Sequence, residues 1–258
     1  MNKTNERKTP KIKSLEKALC LLDFIGERTT PVSVKEVAEI ENLTASSAYK
    51  ILNTFVDMDY LVFDTNTKTY QLSCKFIRFS GKLRESKGLS PIARPYMMEL
   101  SNLTNETVHL GIREGFYGVF LDKVNSPQIV GVQTRVGTKA PLDKGATAKV
   151  MMAFLDDSRF ETFCSNFLKN SEEGEKRIEE ARKQREEIRR KGYSVTSEEV
   201  NPNVAAVAAP IFGGENKLLG AVAVAGPCQR FTPQKVKTYI PLVIEYAKKI
   251  SKDLGAEI

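Results

Sequence analysis

The sequence is poor in the residues from which catalytic and metal sites are built. Its 258 residues include one histidine, His109, no tryptophan, and four cysteines without a Cys-x-x-Cys pair. Scattered cysteines argue against a zinc ribbon or a disulfide scaffold, so we expect Cys20, Cys74, Cys164 and Cys228 to be reduced and buried. A Gly-x-Ser-x-Gly elbow and a phosphate-binding glycine-rich loop are also absent. These absences disfavour an enzyme and predict no catalytic residue, no metal and no cofactor.

The few groups capable of acid–base chemistry show no catalytic arrangement. His109 lies in an apolar, strand-like run, where an imidazole with satisfied hydrogen bonds is more common than a catalytic base. Glu198 and Glu199 are adjacent, so in an extended segment their side chains should face opposite ways. Neither feature predicts a proton-transfer pair.

Long apolar runs are missing as well. A membrane span needs roughly 18 consecutive apolar residues and a secretion signal needs an apolar core, and the sequence contains neither. We therefore expect no membrane partner and take the cytoplasm as the default location. With 41% apolar residues, the chain is long enough for two globular domains.

The chain is basic, but its charge is unevenly distributed. The net charge is +7 and the isoelectric point about 9.1, which is typical of nucleic-acid binding. Residues 1 to 13 carry five basic side chains against one acidic, whereas residues 14 to 90 carry ten of each. We predict that residues 1–11 form a flexible basic arm that adds weakly to DNA affinity. A solvated tail with no partner is the alternative.

Residues 32 to 72 carry the start signals of two successive helices. Ser33 and Glu36 form a capping box, and Val32 and Val37 a hydrophobic staple. Asn42 suits a left-handed turn between the helices. In the second helix, Thr44 is the cap, and an apolar stripe follows at helical spacing, namely Ala48, Ile51, Leu52 and Phe55. An amphipathic hairpin of unrelated function is the alternative interpretation, since such caps occur in helices of every kind.

The residues that follow favour a winged helix-turn-helix. Leu61, Val62 and Phe63 precede a polar turn at 64–68, after which Tyr70 and Leu72 resume an alternating pattern, as in a β-hairpin. An upstream helix, with Ser14 as cap and Gly26 as stop, completes a domain over residues 12–74. Its apolar stripe is predicted as Leu15, Ala18, Leu19, Leu22 and Ile25.

The exposed face of the second helix carries the side chains that a recognition helix uses. Short polar, amide and cationic groups can reach phosphates and base edges from the major groove of double-stranded DNA. We predict as DNA-binding residues Ser33, Thr44, Ser46, Ser47, Tyr49, Lys50, Asn53 and, on the wing, Lys68.

The second half of the chain reads as a separate mixed domain. We predict a linker helix at 75–89 and then, over 90–258, a sheet covered by helices on at least one side, which makes the whole chain α+β. Strands are predicted at 107–112, 118–123, 128–136, 205–212 and 218–225, and helices at 92–103, 146–155, 159–168 and 175–191, with a last helix from the Thr232 cap. The last helix should pack on its own sheet, although a subunit seam is the alternative, and Pro241 should kink it.

Seven stretches in this order resemble the IclR family of bacterial transcription regulators, over nearly the whole chain. They are SLEKALCLLDFI, VSVKEVAEIENLTASSAYKILNTF, LSPIARPYMMEL, NETVHLGIREGFYGVFLDKV, VGTKAPL, KGYSVTSEE and GAVAVAGPCQRFT. The resemblance implies an N-terminal winged helix and a C-terminal effector-binding domain of GAF-like fold. It also implies dimers, often paired into tetramers, that bind a palindrome-like operator and are tuned by a small-molecule effector.

The resemblance carries over to nine candidate effector-binding positions. Three are at a helix start whose free amides and dipole could hold an anion, two form an apolar wall, and four stand where relatives often have acidic, Cys or Ser side chains. In that order they are Gly145, Ala146 and Thr147, then Ile129 and Leu142, then Ser197, Ala206, Ala223 and Ala225. Alanine cannot hydrogen-bond through its side chain. The ligand is therefore predicted to be larger or more apolar, such as an aromatic or branched carboxylate, with tight alanine packing and no ligand as the alternative.

Three positions in the first half depart from the family pattern. Asp59 and Ser73 stand where relatives usually have glycine, and aspartate tolerates a left-handed backbone better than most residues. Lys50 replaces a frequent arginine and so would contact phosphate as a point charge, without a bidentate guanine contact.

Two other functions remain open from the sequence. One is a constitutive DNA-binding regulator without an effector. The other, less favoured because acid–base and metal-binding groups are scarce, is a small-molecule enzyme or sensor whose winged helix serves protein contacts.

Overall fold

A computed structural model describes residues 12–40, 43–79, 88–132 and 134–257. These residues form two compact units, one up to residue 79 and one from residue 88. The predicted basic arm, Asn42 and most of the predicted linker helix lie outside the described residues. The two units are called here the winged unit and the regulatory unit.

The winged unit contains three helices and a two-stranded hairpin, as the sequence predicts. They are α1 (Lys13–Glu27), α2 (Val34–Ile40), α3 (Ala45–Asp57), β1 (Leu61–Asp64) and β2 (Thr69–Leu72). The two strands are antiparallel, and Leu61 faces Leu72. The Asp64 carboxylate accepts hydrogen bonds from the amides of Asn66 and Thr67 and so closes the hairpin turn.

Local hydrogen bonds confirm the predicted caps of α2 and α3. The Ser33 hydroxyl accepts from the Glu36 amide at 3.4 Å, and the Glu36 carboxylate accepts from the Ser33 amide at 2.8 Å. The Thr44 hydroxyl accepts from the Ser47 amide at 3.2 Å. Both helix starts are therefore defined by side chains within three residues, because these caps satisfy amides that have no partner inside the helix.

The ends of α1 and part of its buried face differ from the prediction, although Ile25 is buried and Leu22 packs against the core as predicted. Ser14 lies inside the helix, the N-cap residue Ile12 makes no side-chain cap, and Gly26 does not stop the helix, which ends at Glu27. Leu15 and Leu19 are about half exposed, at 54% and 50%. The side chains that α1 buries are Leu21 and Ile25, because the hydrophobic core of the winged unit lies on that side of the helix.

A third extended segment joins the hairpin. The amide of Val32 donates to the carbonyl of Tyr70 at 2.9 Å, and the amide of Tyr70 donates to the carbonyl of Val32 at 2.8 Å. Both side chains are at most 1% exposed and belong to one core with Val37, Ala48 and Leu52. This pairing connects Val32, two positions before α2, to the second wing strand.

The regulatory unit is an antiparallel six-stranded sheet with helices. Its elements are α4 (Leu89–Thr104), β3 (Thr107–Glu114), β4 (Tyr117–Val124), β5 (Lys139–Pro141), α5 (Ala146–Ala153), α6 (Asp157–Thr162) continued by a π-helix (Phe163–Leu168), α7 (Gly174–Lys191), β6 (Ser194–Ser197), β7 (Val204–Phe212), β8 (Leu218–Pro227) and α8 (Pro233–Asp253). The strand order is β5-β4-β3-β8-β7-β6.

The predicted strand at 128–136 is wrong. The segment after β4 turns at Ser126, whose hydroxyl accepts from the Gln128 amide at 3.1 Å, and β4 pairs directly with the short strand β5. The described residues of 128–136 form no strand. β5 and β6, of three and four residues, were not predicted.

Helices cover the sheet on both faces. One face packs against α4 and α8, with Val207, Val222 and Val224 in that core. The other face packs against α5, the π-helix and α7, with Ala208, Ala221 and Ala223 in its core. Because side chains alternate along a strand, Val207, Val222 and Val224 point to α8, whereas Ala208, Ala221 and Ala223 point to α5, on what is called here the alanine face.

The last helix starts and packs as predicted. The Thr232 hydroxyl accepts from the Lys235 amide at 3.3 Å, and Pro233 occupies the first turn. Val243 and Ile250 are fully buried against the sheet, and the helix continues through Pro241. Among the described residues, no helix is both long and apolar enough to cross a membrane.

Candidate functional site

The outward face of α3 is polar and open within the winged unit. Ser46, Tyr49 and Lys50 are exposed, with 52% of Tyr49 accessible. Within the described part of the chain, no carboxylate lies within 4 Å of the Lys50 ammonium. This face combines a cation, an aromatic ring and a hydroxyl, all of them exposed.

The remaining predicted DNA-binding residues are partly committed to the fold. The hydroxyls of Ser33, Thr44 and Ser47 take part in the two helix caps. Asn53 is half-buried, and its side-chain oxygen accepts from the Tyr70 hydroxyl at 3.3 Å. Lys68 is exposed at the wing turn with a left-handed backbone, φ 54°. The face therefore offers Ser46, Tyr49 and Lys50 without rearrangement, while the cap residues hold its geometry.

Two of the three residues that depart from the family pattern, Asp59 and Ser73, form the turn at the end of α3. Asp59 adopts the left-handed backbone, φ 60°, and its carbonyl accepts from the Ser73 hydroxyl. The Lys75 ammonium donates to the Met58 carbonyl at 2.6 Å and lies 4.0 Å from the Tyr60 ring centroid. Helical residues 75–79 therefore pack directly on the turn that follows α3.

A cavity lies in the regulatory unit, on the alanine face of the sheet at the start of α5. Its enclosed volume is about 60 Å³, and the cavity is partly open to solvent. Its apolar walls include Val119, Phe120, Val132 and Met151. Its polar groups come from Thr134, Thr196, Glu199, Asn201 and His109.

The structure places five of the nine predicted effector positions at this cavity. Gly145, Ala146, Thr147, Ala206 and Ala225 line it. The other four do not line the cavity. Ile129 is fully exposed on the surface loop after β4, and Leu142 and Ala223 are buried in the core around α5. Ser197 is exposed, and its hydroxyl lies 3.3 Å from the Cys228 sulfur. Of the three alanines, Ala223 is therefore packed tightly in the core, whereas Ala206 and Ala225 form part of the cavity wall.

Two of the three amides predicted at the start of α5, those of Gly145 and Ala146, are not free, contrary to the prediction. The Gly145 amide donates to the Glu199 carboxylate at 3.0 Å, and the Ala146 amide donates to the Thr196 hydroxyl at 3.0 Å. The second Glu199 oxygen accepts from the Lys149 ammonium at 2.5 Å. Sequence reasoning missed Glu199 and Thr196, because they lie 54 and 50 residues away from these amides.

His109 lines the cavity and is not the satisfied core imidazole that the sequence predicts. It is 2% exposed, its ring lies 4.6 Å from that of Phe120, and its Nε2 has no hydrogen-bond partner within the described residues. Burial, with a smaller contribution from the nearby charge of Lys123, lowers the pKa of His109 to about 4. The imidazole is therefore neutral at pH 7.

The buried histidine predicts a loss of stability on mild acidification. The unfolded state takes up a proton near pH 6.5, whereas folded His109 does so near pH 4, so the free energy of unfolding falls between these values. From pH 7 to pH 5 the loss attributable to His109 is about 2 kcal/mol. Denaturant unfolding of the wild type and of His109→Gln at both pH values measures it as the difference between the two proteins. Equal pH dependence of the two proteins would contradict the assignment.

The cysteines and the carboxylates form no site of their own. Cys20 and Cys74 are exposed, contrary to the prediction, Cys164 is buried, and all four are free thiols. The Glu198 carboxylate accepts from the Asn203 amide at 2.9 Å, whereas the Glu199 carboxylate accepts from the Gly145 amide at the start of α5. The two carboxylates therefore have different partners. In the described ranges, no group of three or more His, Cys, Asp or Glu side chains could hold a metal ion.

Two family models match the chain. The one described as bacterial transcriptional regulator IclR C-terminal matches residues 83–252, and the one described as IclR helix-turn-helix domain matches residues 14–65. Among curated proteins, the HTH-type transcriptional regulator KipR of Bacillus subtilis is 26% identical over 95% of this chain and 98% of its own length. The regulator KdgR of Escherichia coli is 23% identical over 97% and 95%.

Solved structures are similar along the whole length. The crystal structure of the Thermotoga maritima IclR has 28% identity and a TM-score of 0.76 and covers 95% of this chain and 99% of its own. An IclR homolog from Microbacterium hydrocarbonoxydans, complexed with 4-hydroxybenzoate, has 18% identity and a TM-score of 0.76 and covers 93% and 98%. At that identity, the second likeness concerns the fold alone.

Proposed function

The chain belongs to the IclR family of bacterial transcriptional regulators, and from that premise we propose that it binds operator DNA as a homo-oligomer whose affinity is set by a small carboxylate effector. It is a transcriptional regulator with a DNA-binding and an effector-binding part. The residues that contact DNA, the effector and the oligomer are the proposal.

The exposed face of α3 is the observation that carries DNA binding. Tyr49 and Lys50 stand on it, and Lys68 extends from the wing beside it. A recognition helix in the major groove presents such a face, while the wing contacts the flanking backbone. We propose that Ser46, Tyr49 and Lys50 contact DNA directly, while the cap residues position them.

Replacing Lys50 by alanine tests the phosphate contact. The slope of log affinity against log salt concentration should decrease by about one unit, because one phosphate neutralisation is lost. The affinity should fall for every duplex tested, whatever its sequence, since lysine contacts phosphate as a point charge. Titration of a fluorescent duplex at several salt concentrations measures both quantities.

Lys248→Ala is the matched control for this experiment. It removes the same charge from an exposed position on α8 of the regulatory unit. Its salt slope should equal that of the wild type. An unchanged slope for Lys50→Ala, or an equal decrease for both variants, would count against the role of Lys50.

An apolar stripe on α1 supports self-association. Ile12, Leu15 and Leu19 recur at helical spacing and are 68%, 54% and 50% exposed. Three large apolar side chains on one helix face are unusual on a surface with no partner. We propose that this stripe is covered by a second copy, since twofold-related winged domains match a palindrome-like operator.

The cavity supports an effector of small, partly apolar character. Its walls are aromatic and aliphatic, and its polar groups converge on the start of α5. The IclR homolog complexed with 4-hydroxybenzoate carries an aromatic carboxylate. We propose an aromatic or branched carboxylate for this chain, to be tested by calorimetric titration with 4-hydroxybenzoate, benzoate and branched aliphatic acids.

One observation favours a second candidate, a regulator without an effector. The helix start that could hold an anion is already occupied by Glu199. The cavity and the Nε2 of His109, which has no hydrogen-bond partner in the described part of the chain, argue for the ligand-responsive function. If no acid of the panel produced heat and none changed DNA affinity, the constitutive function would replace the first.

A further inference from the structure

The start of α5 holds an anion that the protein itself supplies. One Glu199 oxygen accepts from the Gly145 amide at 3.0 Å, and the other from the Lys149 ammonium at 2.5 Å, one turn further along the helix. The Lys149 side chain is 7% exposed, so its charge needs a carboxylate partner in the fold. Among the described residues, Glu199 is the acidic side chain within 4 Å of it.

Glu199 lies on a loop whose closing hydrogen bonds do not involve the Glu199 side chain. The loop, residues 198–203, joins β6 to β7, and two hydrogen bonds close its base. The Glu198 amide donates to the Val204 carbonyl at 2.8 Å, and the Glu198 carboxylate accepts from the Asn203 amide at 2.9 Å. The Glu199 side chain is 31% exposed. Its carboxylate can therefore leave α5 for water while the hairpin remains paired.

The same cavity holds a polar group that lacks a partner. His109 is 2% exposed and neutral, and its Nε2 makes no hydrogen bond to the described residues. A buried polar atom without a partner costs about 1–3 kcal/mol, which a bound hydroxyl would recover. The walls between these polar groups are apolar, including Phe120, Val132 and Met151.

We propose, as an inference that rests on the proposed function, that Glu199 is an internal substitute for the effector carboxylate and is displaced by it. The incoming carboxylate takes over the Gly145 amide and the Lys149 ammonium, so the charge of Lys149 stays paired throughout. The effector class is a monocarboxylate with an apolar body and a hydroxyl or similar small group that meets His109. Its binding releases loop 198–203 from α5.

Chemical rescue tests whether Glu199 takes the place of an effector carboxylate, and it does not require the natural effector to be known. In full-length Glu199→Ala, sodium acetate should replace the missing carboxylate and raise the melting temperature by roughly 3–6 °C at ten times its dissociation constant, relative to equal sodium chloride. Acetamide, which is neutral, should give no rise. The wild type should show no acetate effect beyond that of chloride, because its own carboxylate occupies the place.

Glu198→Ala is the matched control, since it removes the neighbouring carboxylate from the loop base and not from α5. It should show no acetate rescue. Equal acetate effects in all three proteins, or none in Glu199→Ala, would overturn the proposal. If Glu199→Ala fails to fold, Glu199→Gln serves instead, because a neutral amide competes less well than a carboxylate for the Lys149 ammonium.

The affinity for benzoate distinguishes displacement of Glu199 from the binding of an effector in the cavity. Benzoate should bind Glu199→Ala at least about tenfold more tightly than the wild type, as expected if Glu199 occupies its place more than about 90% of the time. Equal benzoate affinity in both proteins would leave the effector cavity standing and reject the displacement. Acetate rescue without any effect of carboxylates on DNA affinity would support the displacement and reject effector control.

Discussion

Tyr70→Ala is expected to unfold much of the winged unit and abolish DNA binding. Tyr70 is 1% exposed, pairs with Val32 through two backbone hydrogen bonds, and packs against Phe63 with the ring centroids 4.8 Å apart. Truncation of a buried aromatic ring costs roughly 3–5 kcal/mol. A unit of this size holds only about 3–9 kcal/mol in total, so the loss removes most of its stability.

Hydrogen exchange measured by mass spectrometry localises this effect. In Tyr70→Ala, the amides of α3 should lose protection while those of α8 and β7, in the other compact unit, keep theirs. Full protection of α3 in the variant would contradict the central position assigned to Tyr70. Tyr70→Phe, which loses the hydrogen bond to Asn53, should cost only about 1 kcal/mol.

Tyr49→Ala, on α3 itself, is expected to have the opposite effect to Tyr70→Ala. Tyr49 is 52% exposed and lies outside the core of the winged unit. Its removal should leave the free energy of unfolding within about 0.5 kcal/mol of the wild type and weaken DNA binding. Tyr70 is thus expected to support the fold of the recognition face, and Tyr49 to contact DNA.

Arg230→Ala is expected to produce the second large loss, in the regulatory unit. The Arg230 guanidinium donates two hydrogen bonds, at 2.5 and 2.6 Å, to the Glu106 carboxylate, which is 2% exposed. Removing one partner of a buried pair leaves an uncompensated charge and costs roughly 3–5 kcal/mol. Denaturant unfolding followed by circular dichroism measures the loss.

An exposed ion pair of the same chemistry is the control. Arg182 and Glu161 make two hydrogen bonds of 2.6 Å, but their side chains are 50% and 55% exposed. Arg182→Ala should cost less than about 1 kcal/mol, since water screens the pair. Adding Glu106→Gln to Arg230→Ala should recover part of the loss, because the buried charge disappears. Equal losses for Arg182→Ala and Arg230→Ala would show that burial does not decide their strength.

The winged unit could be predicted because its signals are local. The capping box joins Ser33 to Glu36, and the Asp64 turn bonds amides two and three residues away. The errors occur where tertiary packing decides, as in α1, where Gly26 stays helical and the buried side includes Leu21 rather than Leu15. Helix propensity is a weak signal, and packing regularly overrides it.

The cavity was only partly predictable because its polar groups come from distant segments. The family resemblance located Gly145, Ala146 and Thr147, which line the cavity. It could not show that Glu199, 54 residues away from Gly145, fills the helix start, or that the His109 Nε2 has no hydrogen-bond partner among the described residues. Ile129 was misplaced because the strand predicted around it is a surface loop.

Lysine acetylation footprinting of the full-length protein tests most directly whether the open face of α3 binds DNA. The protein is acetylated at low salt with and without excess duplex DNA of random sequence, and each lysine is quantified by mass spectrometry. Lys50 and Lys68 should be protected several-fold by DNA, while Lys248 should react equally in both samples. Unchanged reactivity of Lys50 in a sample where DNA is fully bound would contradict the account.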